Sequence, residues 1–195
     1  MAVLQPRWPL ILASTSRYRK AQLARLGVPF GVARPDYDEL PVPGLDAIAL
    51  IAHHARQKAK AVQALPESAG HIVLAADQGV VVDGALLGKP GTVPAAVAQL
   101  LHLAGREHAL VTAVVLGLPD GRLLERLVPV TLKLRALTLA EAQAYVEQDQ
   151  PLDCAGSYRI EGAGPSLLQW ARGDDPTAIE GLPMIAVAEL LRAAS

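Results

Sequence analysis

The chain has 195 residues, of which 51% are hydrophobic and 19% are charged. That composition is typical of a globular protein with a sizeable core and excludes a disordered one. Lysine and arginine total 18 against 19 acidic residues, so the formal net charge is −1, and we do not expect a general nucleic-acid binder, which normally carries a basic excess. Cys154 is the only cysteine, which excludes an internal disulfide and argues against a cysteine-based zinc site.

The length fits one domain over residues 1–195, since no repeat, low-complexity tract or obvious linker divides the sequence. No apolar run approaches the roughly 18 residues of a membrane-spanning helix. The apolar stretch near the N-terminus is short and is broken by Pro6, Arg7 and Pro9, which is not the order of a signal peptide. We therefore expect a cytoplasmic protein without a membrane partner.

The predicted elements of the first third alternate between strands and helices. Apolar residues 10–13 predict a buried strand, and residues 17–27 predict a helix that ends at Gly27. A short strand near Phe30 leads into a turn-rich loop, 34–44. A second helix is predicted by apolar residues spaced three and four apart, which are Leu45, Ile48, Ala52, Ala55, Ala59 and Val62.

The rest of the chain adds hairpins to this alternation. A buried strand over 71–76 is expected to end at Asp77, and Asp-Gly pairs at 83–84 and 120–121 predict hairpins. Further along we predict a helix over about 94–104, strands over about 107–118 and 122–135, a helix from the Thr138–Glu141 capping box to Glu147, a segment rich in glycine and polar residues over 152–181, and a helix over 182–193. Together these elements predict an α/β fold with a mixed sheet.

The segment LASTSRYRK, 12–20, joins the first strand to the first helix and is the first candidate site. The free N–H groups of a helix start, with Ser and Thr hydroxyls and nearby cations, can bind an anion. Alternatively, Ser14 or Ser16 simply caps the helix while the cations face water. Those cations are Arg17, Arg19 and Lys20.

Asp77 and Lys89 form a second candidate group. Asp77 is expected at the carboxyl edge of the sheet, where open α/β sheets place their ligands. A carboxylate there can hold a divalent cation or deprotonate water, although Asp also commonly caps turns. Lys89 stands between Gly88 and Pro90 in a tight loop that suits phosphate binding, although a surface lysine is the ordinary expectation.

Three further stretches carry groups that could join a site. Asp36, Asp38 and Glu39 could share a metal ion or form a solvated turn, and Lys58 lies where its long side chain could reach inward from the second helix. The adjacent histidines at 53–54 point to different sides of that helix, so a metal-binding pair is not expected.

The glycine-rich stretch is the third, and its chemistry is less defined. Glu161 is followed by Gly162 and Gly164, a backbone that can approach a planar ligand closely. Asp174 and Asp175 could be ligands, but an Asp-Asp-Pro turn explains them equally well.

Five blocks spread over nearly the whole chain closely resemble the Maf family of nucleoside triphosphate pyrophosphatases. They occur in the family's order and spacing, and they are LILASTSRYRK, DELP, ADQGVVVDGALLGKP, CAGSYRIEGAG and GDDPTAIEGLP. The resemblance implies hydrolysis between the α- and β-phosphates, which gives a monophosphate and pyrophosphate. It also implies a divalent cation, Mg²⁺ or Mn²⁺, an elongated mixed α/β sheet with two lobes around a central cleft, and a homodimer.

The resemblance also implies roles for individual residues. Asp77 matches the family's proton acceptor, and Glu39 and Asp77 match its metal-binding positions. The positions that match phosphate-binding residues are Ser14, Arg19, Lys20, Lys58 and Lys89. Several cations together with a metal ion can neutralise a triphosphate and polarise its α-phosphorus.

Tyr18, Gln78 and Glu161 resemble the residues of the family's 7-methyl-GTP pyrophosphatases. A methylated, cationic guanine stacks favourably on an aromatic face, and a carboxylate can accept hydrogen bonds from its N1–H and amino group. The chain departs from the family pattern at Arg17, where proline is common, and at Lys20, where arginine is common. The alternatives are a dTTP/UTP pyrophosphatase and a non-enzymatic nucleotide-binding regulator of cell division.

Overall fold

The computed structural model describes residues 4–194, so residues 1–3 and 195 of the expected domain lie outside the described part. Its strands are β1 (Leu10–Ala13), β2 (Phe30–Ala33), β3 (Ile72–Val82), β4 (Ala85–Leu87), β5 (Glu107–Gly117), β6 (Leu123–Leu134) and β7 (Leu168–Arg172). Its α-helices, over the same residues, are α1 (Arg17–Ala24), α2 (Ala47–Gln63), α3 (Val93–Leu103), α4 (Leu139–Asp149) and α5 (Met184–Ala193). The strands form one sheet in the order β2-β1-β3-β5-β6-β7, with β4 paired on β3.

The sheet changes from parallel to antiparallel at β3. On one side of β3, β1 pairs with it in parallel, and β2 in turn pairs in parallel with β1. On the other side, β5 and β6 continue the sheet in antiparallel pairs, and β7 closes it. The predicted mixed α/β sheet is therefore confirmed.

The prediction that a strand ends at Asp77 is wrong, because β3 continues to Val82. Its parallel pairing with β1 stops at Leu74, but its antiparallel pairing with β5 runs on, with Asp77 opposite Ala113. Asp77 thus lies just beyond the end of the parallel pairing, within a strand that β5 keeps extended. Asp77 is therefore still at the carboxyl edge of the parallel part of the sheet, where it was expected.

Helix α2 packs across β3 and β5, and this packing sets how far its polar side chains lie from the sheet. Its apolar side, which includes Ile51, Ala55 and Ala59, is fully buried against the sheet. Gly79 permits this close approach, because a Cβ there would overlap the Leu86 side chain and press on Ile51. Lys58, two turns further along α2 than Ile51, is thereby held close to Asp77.

Other local expectations are confirmed, with small differences at the ends of elements. Both Asp-Gly pairs form hairpin turns, and both hydrogen bonds of the capping box are present at Thr138 and Glu141. Helix α1 ends at Ala24, before Gly27, because its last turn tightens. Within residues 4–194, no helix is both long and apolar enough to cross a membrane.

Candidate active site

A cavity of about 680 Å³ opens where the start of α1, the C-terminal half of α2 and the middle of β3 meet the segments 153–161 and 179–181. The sequence-predicted site residues that line it are Ser14, Tyr18, Arg19, Glu39, Lys58, Asp77, Gln78, Lys89 and Glu161. The structure therefore brings these residues together from six separate stretches of the chain. Lys20 is not among them, since its side chain is exposed outside the cavity.

Lys58 bridges two carboxylates at one end of the cavity. Its Nζ lies 2.6 Å from Oδ1 of Asp77 and 2.6 Å from Oε1 of Glu39. Lys58 and Asp77 are each only 7% exposed. Burying charges costs hydration, which a close ion pair only partly offsets, so such a cluster is weak evidence for stability. It is better explained by chemistry that needs charge in a protected place.

Glu39 is the more open member of this cluster, with a side chain 41% exposed. Partial burial raises its pKa, but the hydrogen bond from Lys58 and the positive charges of Lys58 and Lys89 lower it further, so the net shift is downward. Glu39 is therefore ionised at neutral pH. Lys89 thus acts on this cluster through its charge from the opposite loop.

Arg19 joins two separate backbone segments at the cavity through its guanidinium. Its Nε donates to the carbonyl of Gly181 at 3.0 Å, and its Nη1 donates to the carbonyl of Ala76 at 2.7 Å. Burial lowers its pKa, while the charges of Asp77 and Glu39 raise it, and a guanidinium stays protonated in proteins. Among the described residues, Nη2 has no hydrogen-bond partner, so it remains available to an anionic ligand.

At the start of α1, one serine caps the helix and another faces the cavity. Ser16 caps the helix, since its hydroxyl accepts from the N–H of Arg19 at 3.4 Å. Ser14 is buried, lines the cavity and accepts from the N–H of Ser16 at 3.1 Å. The capping alternative is therefore confirmed for Ser16, while Ser14 faces the cavity.

Tyr18 stands at the other end of the cavity with its ring partly covered. The guanidinium carbon of Arg17 lies 4.8 Å from the ring centroid, and Arg17 Nη2 donates to the Tyr18 hydroxyl at 2.7 Å. Arg159 Nη1 donates to the same hydroxyl at 3.3 Å. The guanidinium of Arg17 thus covers the ring face of Tyr18. The sequence predicted that a cationic base would bind to this face.

Glu161 and Gln78 complete this end. Burial raises the pKa of Glu161, as does the charge of Glu180, while Arg159 and Arg17 lower it; the net shift is upward. Gln78 donates from Nε2 to Thr112 Oγ1 at 2.7 Å and to the carbonyl of Ala178 at 2.8 Å. Because that carbonyl can only accept, the orientation of the amide is fixed and its Oε1 is the group left to accept from a ligand.

Other candidate residues have structural roles. Asp36 and Asp38 are exposed and do not line the cavity. Asp175 is buried and accepts from the N–H groups of Thr177 and Ile185, which confirms the turn interpretation. Burial raises the pKa of Cys154 to about 12, so its sulfur remains a thiol.

The glycines after Glu161 are also explained by packing. A Cβ on Gly162 would overlap the Asp149 carboxylate, and one on Gly164 would overlap the Arg159 backbone. These glycines therefore permit contacts within the protein, and neither needs a ligand to account for it.

The sequence missed several residues that line the cavity. Arg159 and Glu161 are two apart, and so are Tyr37 and Glu39. Nearness in sequence to a predicted site residue is the signal that could have found Arg159 and Tyr37, since neither pair lies in a strand. Glu180 also lines the cavity and is held by Arg25 at 2.5 Å, a contact across 155 residues that carries no local signal.

Glu39 and Asp77 fit a divalent cation held together with a substrate. Both carboxylates already hold one cationic atom, Lys58 Nζ, at 2.6 Å. Mg²⁺ is commonly bound by one or two carboxylates plus substrate phosphates. Within residues 4–194 there is no group of three or more His, Cys, Asp or Glu residues that could hold a metal alone. The donor set is thus suited to a cation that arrives with phosphate.

Comparison with known proteins agrees with this geometry. The family model described as Maf-like protein matches residues 9–194. The chain is 47% identical over 192 residues to the 7-methyl-GTP pyrophosphatase of Xanthomonas oryzae pv. oryzae (strain KACC10331 / KXO85), covering 98% of this chain and 97% of that one. It is 40% identical to the 7-methyl-GTP pyrophosphatase of Pseudomonas putida, covering 94% and 95%.

Solved structures show the same fold at low sequence identity. A HAM1 protein from Coxiella burnetii is 14% identical, with a TM-score of 0.53 and coverage of 96% of this chain and 100% of that chain. The Ham1 protein of Staphylococcus aureus gives a TM-score of 0.52 at 14% identity, with the same coverage. Because the family model spans nearly the whole chain and the relatives align with it from end to end, this protein belongs to the Maf family.

Proposed function

We propose that the protein is a nucleoside triphosphate pyrophosphatase that hydrolyses 7-methyl-GTP to 7-methyl-GMP and pyrophosphate. The observation that carries the proposal is the arrangement of one cavity, with a buried Lys58–Asp77 pair at one end and Tyr18 with Glu161 at the other. The first group suits phosphate chemistry and the second suits a cationic purine. The relatives that bear the name 7-methyl-GTP pyrophosphatase support the same substrate.

Asp77 is the proposed proton acceptor. Water attacks the α-phosphorus, its proton passes to the Asp77 carboxylate, and the bond from the α-phosphorus to the bridging oxygen breaks as pyrophosphate leaves. In the protein without ligand, the ammonium of Lys58 lies 2.6 Å from Asp77 Oδ1 and holds this carboxylate in place within the cavity. Asp77 then returns the proton to solvent.

The triphosphate is held by cations from opposite sides of the cavity. Arg19 offers its free Nη2, Lys89 and Lys58 offer ammonium groups, and Ser14 offers its hydroxyl. Glu39 and Asp77 would hold a divalent cation, Mg²⁺ or Mn²⁺, which supplies further positive charge to the phosphate oxygens. Lys20 is not part of this proposal, since its side chain lies outside the cavity.

The base is recognised at the other end by charge and by hydrogen-bonding pattern. The Tyr18 ring accepts a cationic base on its face. Glu161 accepts from the guanine N1–H and amino group, and Oε1 of Gln78 adds a further acceptor. Thymine and uracil present a carbonyl on each side of one N–H, and a carboxylate repels these carbonyl oxygens because both groups only accept hydrogen bonds.

The test is pyrophosphate release from 7-methyl-GTP, GTP, dTTP, UTP and CTP with Mg²⁺ or Mn²⁺. We expect the highest kcat/KM for 7-methyl-GTP. Preference for dTTP or UTP would retain the phosphate chemistry and overturn the proposed base recognition. Nucleotide binding without any release would overturn the enzymatic proposal in favour of a nucleotide-binding regulator.

A further inference from the structure

Tyr37 and His54 form a second contact between α2 and the loop that carries Glu39. The Tyr37 hydroxyl and His54 Nδ1 are 2.7 Å apart, and the ring centroids are 5.7 Å apart. His54 is 4% exposed, and Tyr37 lines the same cavity as Glu39. Neither residue has a role in the phosphate or base recognition described above.

Like the Glu39–Lys58 ion pair, this contact joins the loop to α2. Tyr37 and Glu39 are two residues apart on the loop, and His54 and Lys58 are four residues apart on α2. Both Tyr37 and Glu39 line the cavity from the loop, and a four-residue step along a helix rises about 6 Å and keeps both side chains on one face. The two contacts therefore join the loop to the helix side by side.

The ion pair alone cannot fix Glu39 during the proposed reaction. Lys58 is shared between Glu39 and Asp77, and a divalent cation held by these two carboxylates would compete with its ammonium. Glu39, whose side chain is 41% exposed, would then lose the one ion pair that it makes among the described residues. The neighbouring Tyr37–His54 hydrogen bond does not change in that exchange.

We propose that Tyr37 and His54 are positioning residues that hold Glu39 opposite Asp77 when a divalent cation replaces Lys58 between the two carboxylates. This inference rests on the proposed function, because it concerns the metal-binding step of that reaction. His54 contributes a neutral partner, since burial lowers its pKa. The contact thus adds no charge that would compete with the cation.

The test compares Tyr37→Phe with Tyr158→Phe. Tyr158 also bonds a buried histidine, His108, through its hydroxyl at 3.0 Å, so both variants remove the same kind of hydrogen bond. Mn²⁺ binding to the protein in the presence of a non-hydrolysable α,β-methylene analogue of 7-methyl-GTP is measured by electron paramagnetic resonance, and the metal dependence of pyrophosphate release is measured separately. For Tyr37→Phe we expect about a 5-fold weaker Mn²⁺ affinity and a matching rise in the half-saturating metal concentration. At saturating metal, kcat should stay near that of the wild type.

Tyr158→Phe should lower Tm without changing Mn²⁺ affinity, which separates positioning from stability. His54→Leu should weaken Mn²⁺ binding as Tyr37→Phe does, and the double variant should be no weaker than either single one, because the two share one contact. Unchanged Mn²⁺ affinity in Tyr37→Phe, additive effects, or no Mn²⁺ binding by the wild type would overturn the inference. Intact Mn²⁺ binding that depends on Tyr37, without pyrophosphate release, would overturn the proposed function alone.

Discussion

The two ends of the cavity are built differently. At the phosphate end, Lys58 and Asp77 are buried and bonded to each other at 2.6 Å. At the base end, Arg17 and Glu161 are exposed, and the Tyr18 ring is only half-buried. The proposed catalytic groups are thus in place before a ligand arrives, because their protein partners already balance their charge. The proposed recognition groups contact one another at the surface and would exchange those partners for the base.

The largest expected effect is at the phosphate end, with Asp77→Asn. The change keeps the shape of the side chain but removes the proton acceptor, so kcat should fall about 10²–10⁴-fold. Nucleotide binding, measured by calorimetry, should be retained. Asp38→Asn is a matched control, because Asp38 is exposed outside the cavity. Turnover near that of the wild type in Asp77→Asn would remove Asp77 from the reaction.

An intermediate effect is expected at the base end, with Glu161→Gln. The amide cannot accept from both guanine donors, and hydrogen bonds to a charged group stabilise by ~1.5–3 kcal/mol, so the preference for 7-methyl-GTP over dTTP should fall about 10-fold or more. The kcat/KM ratio of the two substrates measures this. Glu147→Gln, on the exposed side of α4, controls for loss of one negative charge. An unchanged ratio would show that Glu161 does not read the base.

The same residue predicts how selectivity depends on pH. Burial and the nearby charge of Glu180 raise the pKa of Glu161, and only the ionised form accepts from both donors. Preference for 7-methyl-GTP is therefore present above that pKa and is lost as the pH falls through it, at a higher pH than for an ordinary glutamate. A substrate-ratio profile of the wild type should show this loss, and the profile of Glu161→Gln should be flat over that range.

The smallest expected effect is at the surface of the base end, with Arg17→Gln. The exposed Arg17–Tyr18 pair is worth ~0.5–1 kcal/mol, so freeing the ring face should lower KM for 7-methyl-GTP about 2–5-fold. Lys20→Gln removes a neighbouring charge from the same helix, outside the cavity. A KM that rises in Arg17→Gln would instead place Arg17 on the phosphates and break the distinction between the two ends.

Local patterns predicted the elements well, and pairing over long distances explains where they failed. Asp77 was expected to end a strand because the apolar run stops there, but β5 keeps the chain extended through that point. Strand β7 lies in the segment that was predicted only to be rich in glycine and polar residues, and it forms by pairing with β6 across an irregular register near Lys133. Nothing in residues 168–172 alone specifies that partner.

The sequence predicted those site residues that belong to the motifs and face the cavity. It missed the contacts that other residues make with them. Lys58 and Asp77 were assigned different roles in one site, and the sequence could not show that one ammonium joins two carboxylates. The Tyr37–His54 contact depends on how a loop lies against α2, which no local pattern encodes. Lys20 belongs to a matching block, yet its position on the turn of α1 directs it to solvent.

The ammonium that joins Glu39 and Asp77 also has a consequence for how the enzyme is made. Since Lys58 already balances the charge of these carboxylates, we expect the chain to fold, and to stay folded, without a divalent cation. We expect a chelator to stop turnover while leaving the melting temperature in place, unlike proteins whose metal is part of their core. Availability of magnesium or manganese would then govern the working rate of this protein and leave its abundance untouched.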